Sequence, residues 1–171
     1  AAGELGILDD EDCKRSPPQK LPEDTAGALA ESSRFPFIDR ISEHEPYEKL
    51  ISECTLSTGR YPFLVDHAIE GVPYHPGVMA MEMFAQNALL LYPMCTLQKF
   101  SDVSFGLPIK LTKEEAHVRV VAKFMEQNQH TLLVKCHVES DLTNSKGEVF
   151  GEPRIHHQAI VHLLKEGANV E

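Results

Sequence analysis

Residues 61–86 contain the side chains whose types and spacing could do chemistry. His67 lies in a proline-rich stretch, and imidazole is the side chain whose ordinary pKa lets it act as a base near neutral pH. Glu82 is the only charged residue within the apolar stretch 78–91. Burying a lone carboxylate is unfavourable by several kcal/mol unless it is paired, protonated or open to a cavity. We therefore expect a raised pKa for Glu82, which suits a proton donor, and a hydrogen bond from Gln86 one turn later.

Pro76 and Gly77 stand where this apolar stretch begins, and they favour a helix start that a ligand can approach. Proline fits the first turn, and glycine lets a ligand come close to the backbone. The N–H groups of Gly77, Val78 and Met79 would lack partners within the helix, and the helix dipole favours negative charge beside them. A base, an acid and a backbone anion site suit abstraction of a proton next to a carbonyl, with the enolate-like oxygen bound at the helix start.

One helix and a set of short strands must position these residues. The helix is predicted over residues 77–92, closed by Pro93, and it should be buried on most sides because it is apolar nearly all round. Residues 61–76 hold three prolines and are predicted as a long loop with at most a short helical turn. Apolar runs bounded by turn-formers, alternating with period two in the later part of the chain, predict strands over residues 35–41, 48–56, 100–111, 116–125, 131–139 and 155–163. The sum is an α+β fold, an antiparallel sheet wrapped around one helix.

The composition argues against several classes of function. A formal charge of −10 disfavours binding to nucleic acid. No apolar run is long enough to span a membrane and no signal peptide is recognisable, so we expect a cytoplasmic protein. Residues 1–33 carry eight acidic against three basic residues, which is typical of a flexible linker or tail before a folded domain at residues 34–171.

The cysteines and the other histidines give no sign of a metal site. The four cysteines form no CxxC pair, and we expect them to be free thiols. The nine histidines lack zinc-ligand spacing, and the adjacent His156 and His157 should point to opposite faces of a strand. We therefore expect no bound metal. The remaining histidines that we interpret as packing or surface residues are His44, His75, His117 and His130.

The segment around the predicted helix start resembles the dehydratase domains of polyketide synthases. Their HxxxGxxxxP motif is matched by His67, Gly71 and Pro76, and the flanking PFLVDH and HPGVMAMEM are also similar. A second resemblance is to the stand-alone 3-hydroxyacyl carrier-protein dehydratases of fatty-acid synthesis. Their entry strand is similar to RFPFIDRI, and their helix carries a pair that matches Glu82 and Gln86.

The resemblance implies a single hot-dog fold and a lyase that removes water from 3-hydroxyacyl thioesters, in polyketide or fatty-acid biosynthesis. The substrate would be carried on the phosphopantetheine of an acyl carrier protein, and no metal, nicotinamide or flavin would be needed. His67 would remove the α-proton, while backbone N–H groups near Gly71 or Gly77 would polarise the thioester carbonyl. The predicted catalytic residues are His67 and Glu82, and the predicted substrate-binding residues are Gly71, Pro76, Gly77, Val78 and Gln86.

The two resemblances leave the acid that protonates the leaving hydroxyl open. In the stand-alone enzymes it is the helix glutamate, matched by Glu82 and supplied across a dimer interface. In polyketide dehydratases it is an aspartate on the helix of a second hot dog. A single hot dog exposes a long edge strand, so it should pair with a copy of itself or with a second hot-dog domain. Two alternatives to a dehydratase remain: a non-catalytic hot dog that binds acyl carriers or completes a partner's site, and a hot-dog thioesterase.

Overall fold

A computed structural model describes residues 35–165 of the chain. The strands are β1 (Arg40–Glu45), β2 (Lys49–Ser57), β3 (Ala68–Ile69), β4 (Val72–His75), β5 (Cys95–Phe105), β6 (Ile109–Lys110), β7 (Glu115–Gln127), β8 (Thr131–Ser140) and β9 (Arg154–Lys165), and the helices are α1 (Phe63–Asp66) and α2 (Gly77–Leu91). Six strands form one antiparallel sheet in the order β1-β2-β7-β8-β9-β5, and β3, β4 and β6 form a small second sheet. The predicted α+β class is confirmed.

The long helix α2 lies across the large sheet and supplies much of the core. It contacts β2, β5, β7, β8 and β9. Its buried apolar residues are Ala80, Met83, Phe84, Ala85, Ala88 and Leu91. The predicted mostly buried helix is therefore confirmed, and it ends one residue early. Tyr92 is the C-cap, and its N–H donates to the Ala88 carbonyl at 2.9 Å.

The alternation predicted for β7, β8 and β9 is confirmed over most of their length. The side chains buried against α2 include Val118, Val120, Ala122, Leu132, Val134, Cys136, Val138, Ala159, Val161 and Leu163. A bulge interrupts the β8–β9 pairing, because Val138 pairs with His157 and Glu139 pairs with Ile155. Strict alternation breaks there. His156 and His157 are both buried, with ring centroids 6.4 Å apart, although a regular strand would expose one of them.

Three segments differ from the sequence predictions. The strand predicted over residues 100–111 begins earlier, at Cys95, and is divided into β5 and β6. Residues 61–76 contain the predicted short helical turn, α1, but the rest is not an irregular loop because it contains the β3–β4 hairpin. The predicted strand at residues 35–41 begins only at Arg40. Before it, the chain makes a turn in which the Ile38 N–H donates to the Phe35 carbonyl at 3.1 Å.

The large sheet has two open edges, β1 and β5. β5 has 11 residues, and its side chains Leu97, Val103 and Phe105 are exposed. This is the long exposed edge strand that the sequence predicted. Neither described helix is long and apolar enough to cross a membrane. The predicted tail at residues 1–33 lies outside the described residues.

Candidate active site

His67 is held by its own hairpin. It directly follows α1, and its N–H donates to the Phe63 carbonyl at 3.2 Å. Its ring Nδ1 lies 2.9 Å from the Tyr74 carbonyl oxygen, and the Tyr74 N–H donates to the His67 carbonyl at 3.0 Å. A carbonyl oxygen only accepts hydrogen bonds, so Nδ1 carries the proton and the Nε2 of neutral His67 has the free lone pair. The ring is exposed, so this lone pair is accessible to a substrate.

Gly71 makes that hairpin possible. Ala68 pairs with Pro73 and Ile69 with Val72, which leaves Glu70 and Gly71 as a two-residue loop. Both loop residues have positive φ, +52° and +79°, as a type I′ hairpin turn requires. Gly71 is exposed at the hairpin tip, and a Cβ there would meet no atom within 4 Å. The local role of Gly71 is therefore to return the chain so that Tyr74 reaches His67.

The start of α2 has fewer free backbone N–H donors than predicted. Pro76 is the N-cap and has extended backbone angles, and its carbonyl accepts the Met79 N–H at 2.9 Å. The prediction of a free Met79 N–H is therefore wrong, which leaves Gly77 and Val78 as the first turn's available donors. Val78 is 65% exposed beside them.

Phe105 occupies the space that glycine opens at the helix start. A Cβ on Gly77 would lie 2.7 Å from the Phe105 Cδ1, so the ring packs directly on the Gly77 backbone. The sequence predicted that a ligand would use this space, and in the structure the Phe105 side chain fills it. The Phe105 ring is 51% exposed and also meets His157 edge-on, with centroids 5.7 Å apart. Sequence reasoning missed Phe105, because no local signal connects an edge-strand aromatic to a helix 28 residues earlier.

Glu82 and Gln86 form the predicted hydrogen bond, at 2.9 Å from Gln86 Nε2 to Glu82 Oε1. The buried Gln86 also accepts the Phe37 N–H through its Oε1 at 3.0 Å. Because that N–H can only donate, it fixes which end of the amide faces Glu82. Glu82 itself is exposed in the described chain. The expected desolvation of its carboxylate is therefore wrong, since neither sheet covers this side of α2.

No hydrogen bond or ion pair joins His67 to Glu82 within residues 35–165, and each is held by partners of its own. The base lies on the β3–β4 hairpin side, and the carboxylate lies on the second turn of α2. The described chain thus presents an exposed base on the hairpin, backbone donors at the start of α2, and an exposed carboxylate that makes no hydrogen bond to the base.

Two buried histidines, His75 and His157, lie close to this site. His75 is 3% exposed and His157 is 4% exposed, and none of their four ring nitrogens has a hydrogen-bond partner among the described residues. Each unpaired buried polar group costs about 1–3 kcal/mol. Burial lowers the pKa of His75 to about 4, with smaller contributions from His157 and His67, and burial likewise lowers the pKa of His157. Both rings are therefore neutral near pH 7.

No group of three or more His, Cys, Asp or Glu side chains within residues 35–165 is arranged to hold a metal ion. Cys54 and Cys136 are free thiols, as predicted for them. Cys13 lies outside the described residues.

An antiparallel sheet wrapped around one long central helix defines the hot-dog class of domains. Residues 36–137 match the family model of the polyketide synthase dehydratase domain, and the chain belongs to this family. The match confirms the first of the two resemblances seen in the sequence. No curated protein matches the chain.

Solved structures agree on the fold. The dehydratase domain from the CurF module of the curacin polyketide synthase has a TM-score of 0.59 at 16% identity, and it covers 80% of this chain. The corresponding domain from the CurJ module has a TM-score of 0.54 at 18% identity and covers 82%. The chain spans only 46% and 45% of those two structures. A thioesterase from Pseudomonas aeruginosa is also similar, with a TM-score of 0.54 at 12% identity, covering 88% of this chain and 96% of its own.

Proposed function

We propose that this hot-dog domain removes water from 3-hydroxyacyl thioesters carried on the phosphopantetheine of an acyl carrier protein. The observation that carries the proposal is the tautomer of His67. The Tyr74 carbonyl fixes the proton on Nδ1 and leaves the exposed Nε2 free to act as a base. The HxxxGxxxxP match and the family membership support the same reaction.

The reaction follows from this geometry as a syn elimination. His67 Nε2 takes the α-proton, and the electrons of the broken C–H bond move onto the thioester carbonyl oxygen. The N–H groups of Gly77 and Val78, with the dipole of α2 behind them, stabilise that oxygen. The electrons then return to form the C2–C3 double bond as the C3–O bond breaks. An acid gives its proton to the leaving hydroxyl, which departs as water, and no cofactor beyond the carried substrate takes part.

The acid comes from a second hot dog in this proposal. Glu82 is exposed and makes no hydrogen bond to His67 among the described residues, so a second copy can bring its Glu82 to this His67, or a different hot dog can bring an aspartate. The open β5 edge offers the surface for such pairing. The length comparison supports it, because the solved dehydratase domains are about twice as long as the part this chain covers.

The test is water loss from a 3-hydroxybutyryl-pantetheine thioester, followed by mass spectrometry. We expect His67→Ala to lower the rate by about 100-fold or more. His130→Ala, on the β7–β8 turn, is the matched control and should keep the wild-type rate. If the wild-type chain neither removes water nor adds it back to the enoyl product, alone or paired with a second hot dog, the dehydratase proposal fails and a non-catalytic role remains.

A mixing experiment identifies the acid. If Glu82 acts across a dimer, His67→Ala and Glu82→Gln are each inactive, yet their mixture regains activity. The mixed dimer then contains one site with an intact His67 from one chain and an intact Glu82 from the other. Activity that survives Glu82→Gln instead assigns the acid to a different partner domain.

A thioesterase is the second candidate. The exposed Glu82, held by Gln86, could activate water for thioester hydrolysis, and a thioesterase is among the similar structures. The same assay separates the two reactions, because hydrolysis releases free thiol and leaves the 3-hydroxyl in place. Thiol release that depends on Glu82 but not on His67 would favour the thioesterase.

A further inference from the structure

His75 and His157 place two neutral imidazoles in a part of the core that is otherwise apolar and aromatic. The Phe37 and Phe63 rings meet His75 edge-on, at centroid distances of 6.1 Å and 6.5 Å, and Phe105 does the same for His157. None of these aromatic rings can satisfy a ring nitrogen as a conventional hydrogen-bond partner. The four nitrogens thus offer two N–H donors and two lone-pair acceptors without a described partner at hydrogen-bonding distance and angle, although the His156 backbone is near enough to His157 to raise its pKa against the effect of burial.

The position of the pair relates it to the candidate active site. His75 ends β4, directly before the Pro76–Gly77 start of α2, and it is close enough to His67 for a charge on one to disfavour a charge on the other. His157 lies beneath Phe105, whose half-exposed ring also covers Gly77. A change of rotamer in this one edge-strand side chain would uncover His157 next to the helix start.

We propose that His75 and His157 bind the 3-hydroxyl group of the acyl thioester, one ring donating to its oxygen and the other accepting its O–H. The proposal rests on the dehydratase function proposed above. A hydroxyl both donates and accepts, which is the complement of two neutral imidazoles. The hydroxyl is on the carbon next to the one that His67 deprotonates, so a group that binds it must lie near His67, as His75 does. These two histidines are positioning residues, and the proton for the leaving water still comes from the separate acid.

Burial of both rings argues against the alternative of simple packing. Apolar side chains would fill the same space without leaving four polar atoms unpaired, and a site built to bind a hydroxyl discriminates strongly against an analogue that lacks it. The pair is also too small a ligand set for a metal, since no third protein ligand stands with it among residues 35–165.

The test compares two ligands that differ only in the hydroxyl, 3-hydroxybutyryl-pantetheine and butyryl-pantetheine. Their affinities are measured by calorimetry in the His67→Ala background, which prevents turnover. We expect the hydroxylated ligand to bind about 10-fold more tightly. His75→Phe and His157→Phe should each bring that ratio close to one without weakening the butyryl ligand. The matched control is His44→Phe on β1, which removes another part-buried histidine with an unpaired nitrogen and should keep the ratio.

A wild-type measurement protects the test against variants that fail to fold. With ¹⁵N-labelled histidine, the ring nitrogens of His75 and His157 should shift on addition of the hydroxylated ligand and stay in place with the butyryl ligand. Equal affinities for both ligands, or a ratio that survives both substitutions, would overturn the proposal. Failure of the dehydratase proposal gives a different result. The chain would then still bind the hydroxylated ligand more tightly than the butyryl ligand, but the wild type would remove no water.

Discussion

His67 and Tyr74 are joined by two hydrogen bonds, one from the Tyr74 N–H to the His67 carbonyl at 3.0 Å and one between His67 Nδ1 and the Tyr74 carbonyl at 2.9 Å. The base is thus oriented by backbone atoms of its own hairpin. Because the partner is a backbone carbonyl, replacing the Tyr74 side chain leaves this bond in place. The turn that brings the two residues together is the sensitive point.

The turn glycine is therefore the first place to test. Gly71→Ala forces an L side chain into φ +79° and should lower the free energy of unfolding by about 1–2 kcal/mol. It should also lower the dehydration rate, since the hairpin sets the His67 orientation. Gly147→Ala is the matched control, because Gly147 has φ +81° and equally open surroundings in a different turn. Thermal unfolding should show similar losses of stability for the two variants. The water-loss assay should show a lower rate only for Gly71→Ala.

The contact between Gly77 and Phe105 predicts a coupled pair. Gly77→Ala places a methyl group 2.7 Å from the Phe105 ring, and such overpacking destabilises by about 1–3 kcal/mol. Removing the ring first should relieve the clash. In a double-mutant cycle, Gly77→Ala should therefore be less destabilising in the Phe105→Ala background than in the wild type. Additive effects in urea unfolding would show that the ring does not rest on the helix start.

Gln86 connects the segment around Phe37 to α2, so replacing it should lower the free energy of unfolding. Gln86→Leu leaves the Phe37 N–H without its acceptor in a buried position, which costs about 1–3 kcal/mol. Glu82→Gln keeps the Phe37 bond and serves as the control, with a change of about 0.5 kcal/mol or less expected at an exposed position. Equal unfolding midpoints for the two variants would contradict this assignment.

Acid should destabilise the fold through its buried histidines. The pKa of His75 is lowered from 6.5 to about 4, so between these pH values the unfolded chain binds a proton that the folded chain excludes. The free energy of unfolding is therefore unaffected by His75 above pH 6.5. It falls as the pH drops towards 4, by roughly 3 kcal/mol for this residue. The histidines His44, His156, His157 and His162 also have lowered pKa values and act in the same direction. His75→Phe should reduce the pH dependence of the free energy of unfolding, measured in urea, between pH 4 and 6.5. An unchanged pH dependence would show that His75 is not kept neutral by burial in the folded chain.

Most of the fold could be predicted from the sequence. The apolar stretch around Phe84 and the alternation through Val134 and Cys136 are sufficient to predict the helix and the strands packed on it, because each depends on a period within one segment. The β3–β4 hairpin was hidden by the three prolines of residues 61–76. The pair Glu70–Gly71 between Ile69 and Val72 was a usable turn signal, because a two-residue loop containing glycine between apolar residues favours a type I′ hairpin.

The site was less predictable, for physical reasons. The partner of His67 is a backbone carbonyl, which every residue possesses, so no residue type marks it. The exposure of Glu82 depends on which side of α2 the sheets leave open. His75 and His157 stand more than 80 residues apart in sequence, and only the folded sheet brings them to the same end of the helix.

The bulge in β9 contains one extra residue, His156, so a change of chain length by one residue at this place changes which side chains the strand presents. Pairing with β8 is regular from Thr131 to Val138, so this part of the β8–β9 ladder does not depend on the presence of His156. Deleting His156 would remove the extra residue of the bulge, and with it the hydrogen bond between His156 Nδ1 and the Leu107 carbonyl at 3.0 Å. For protein engineering, this is a position where chain length can be varied while the β8–β9 pairing from Thr131 to Val138 keeps its register.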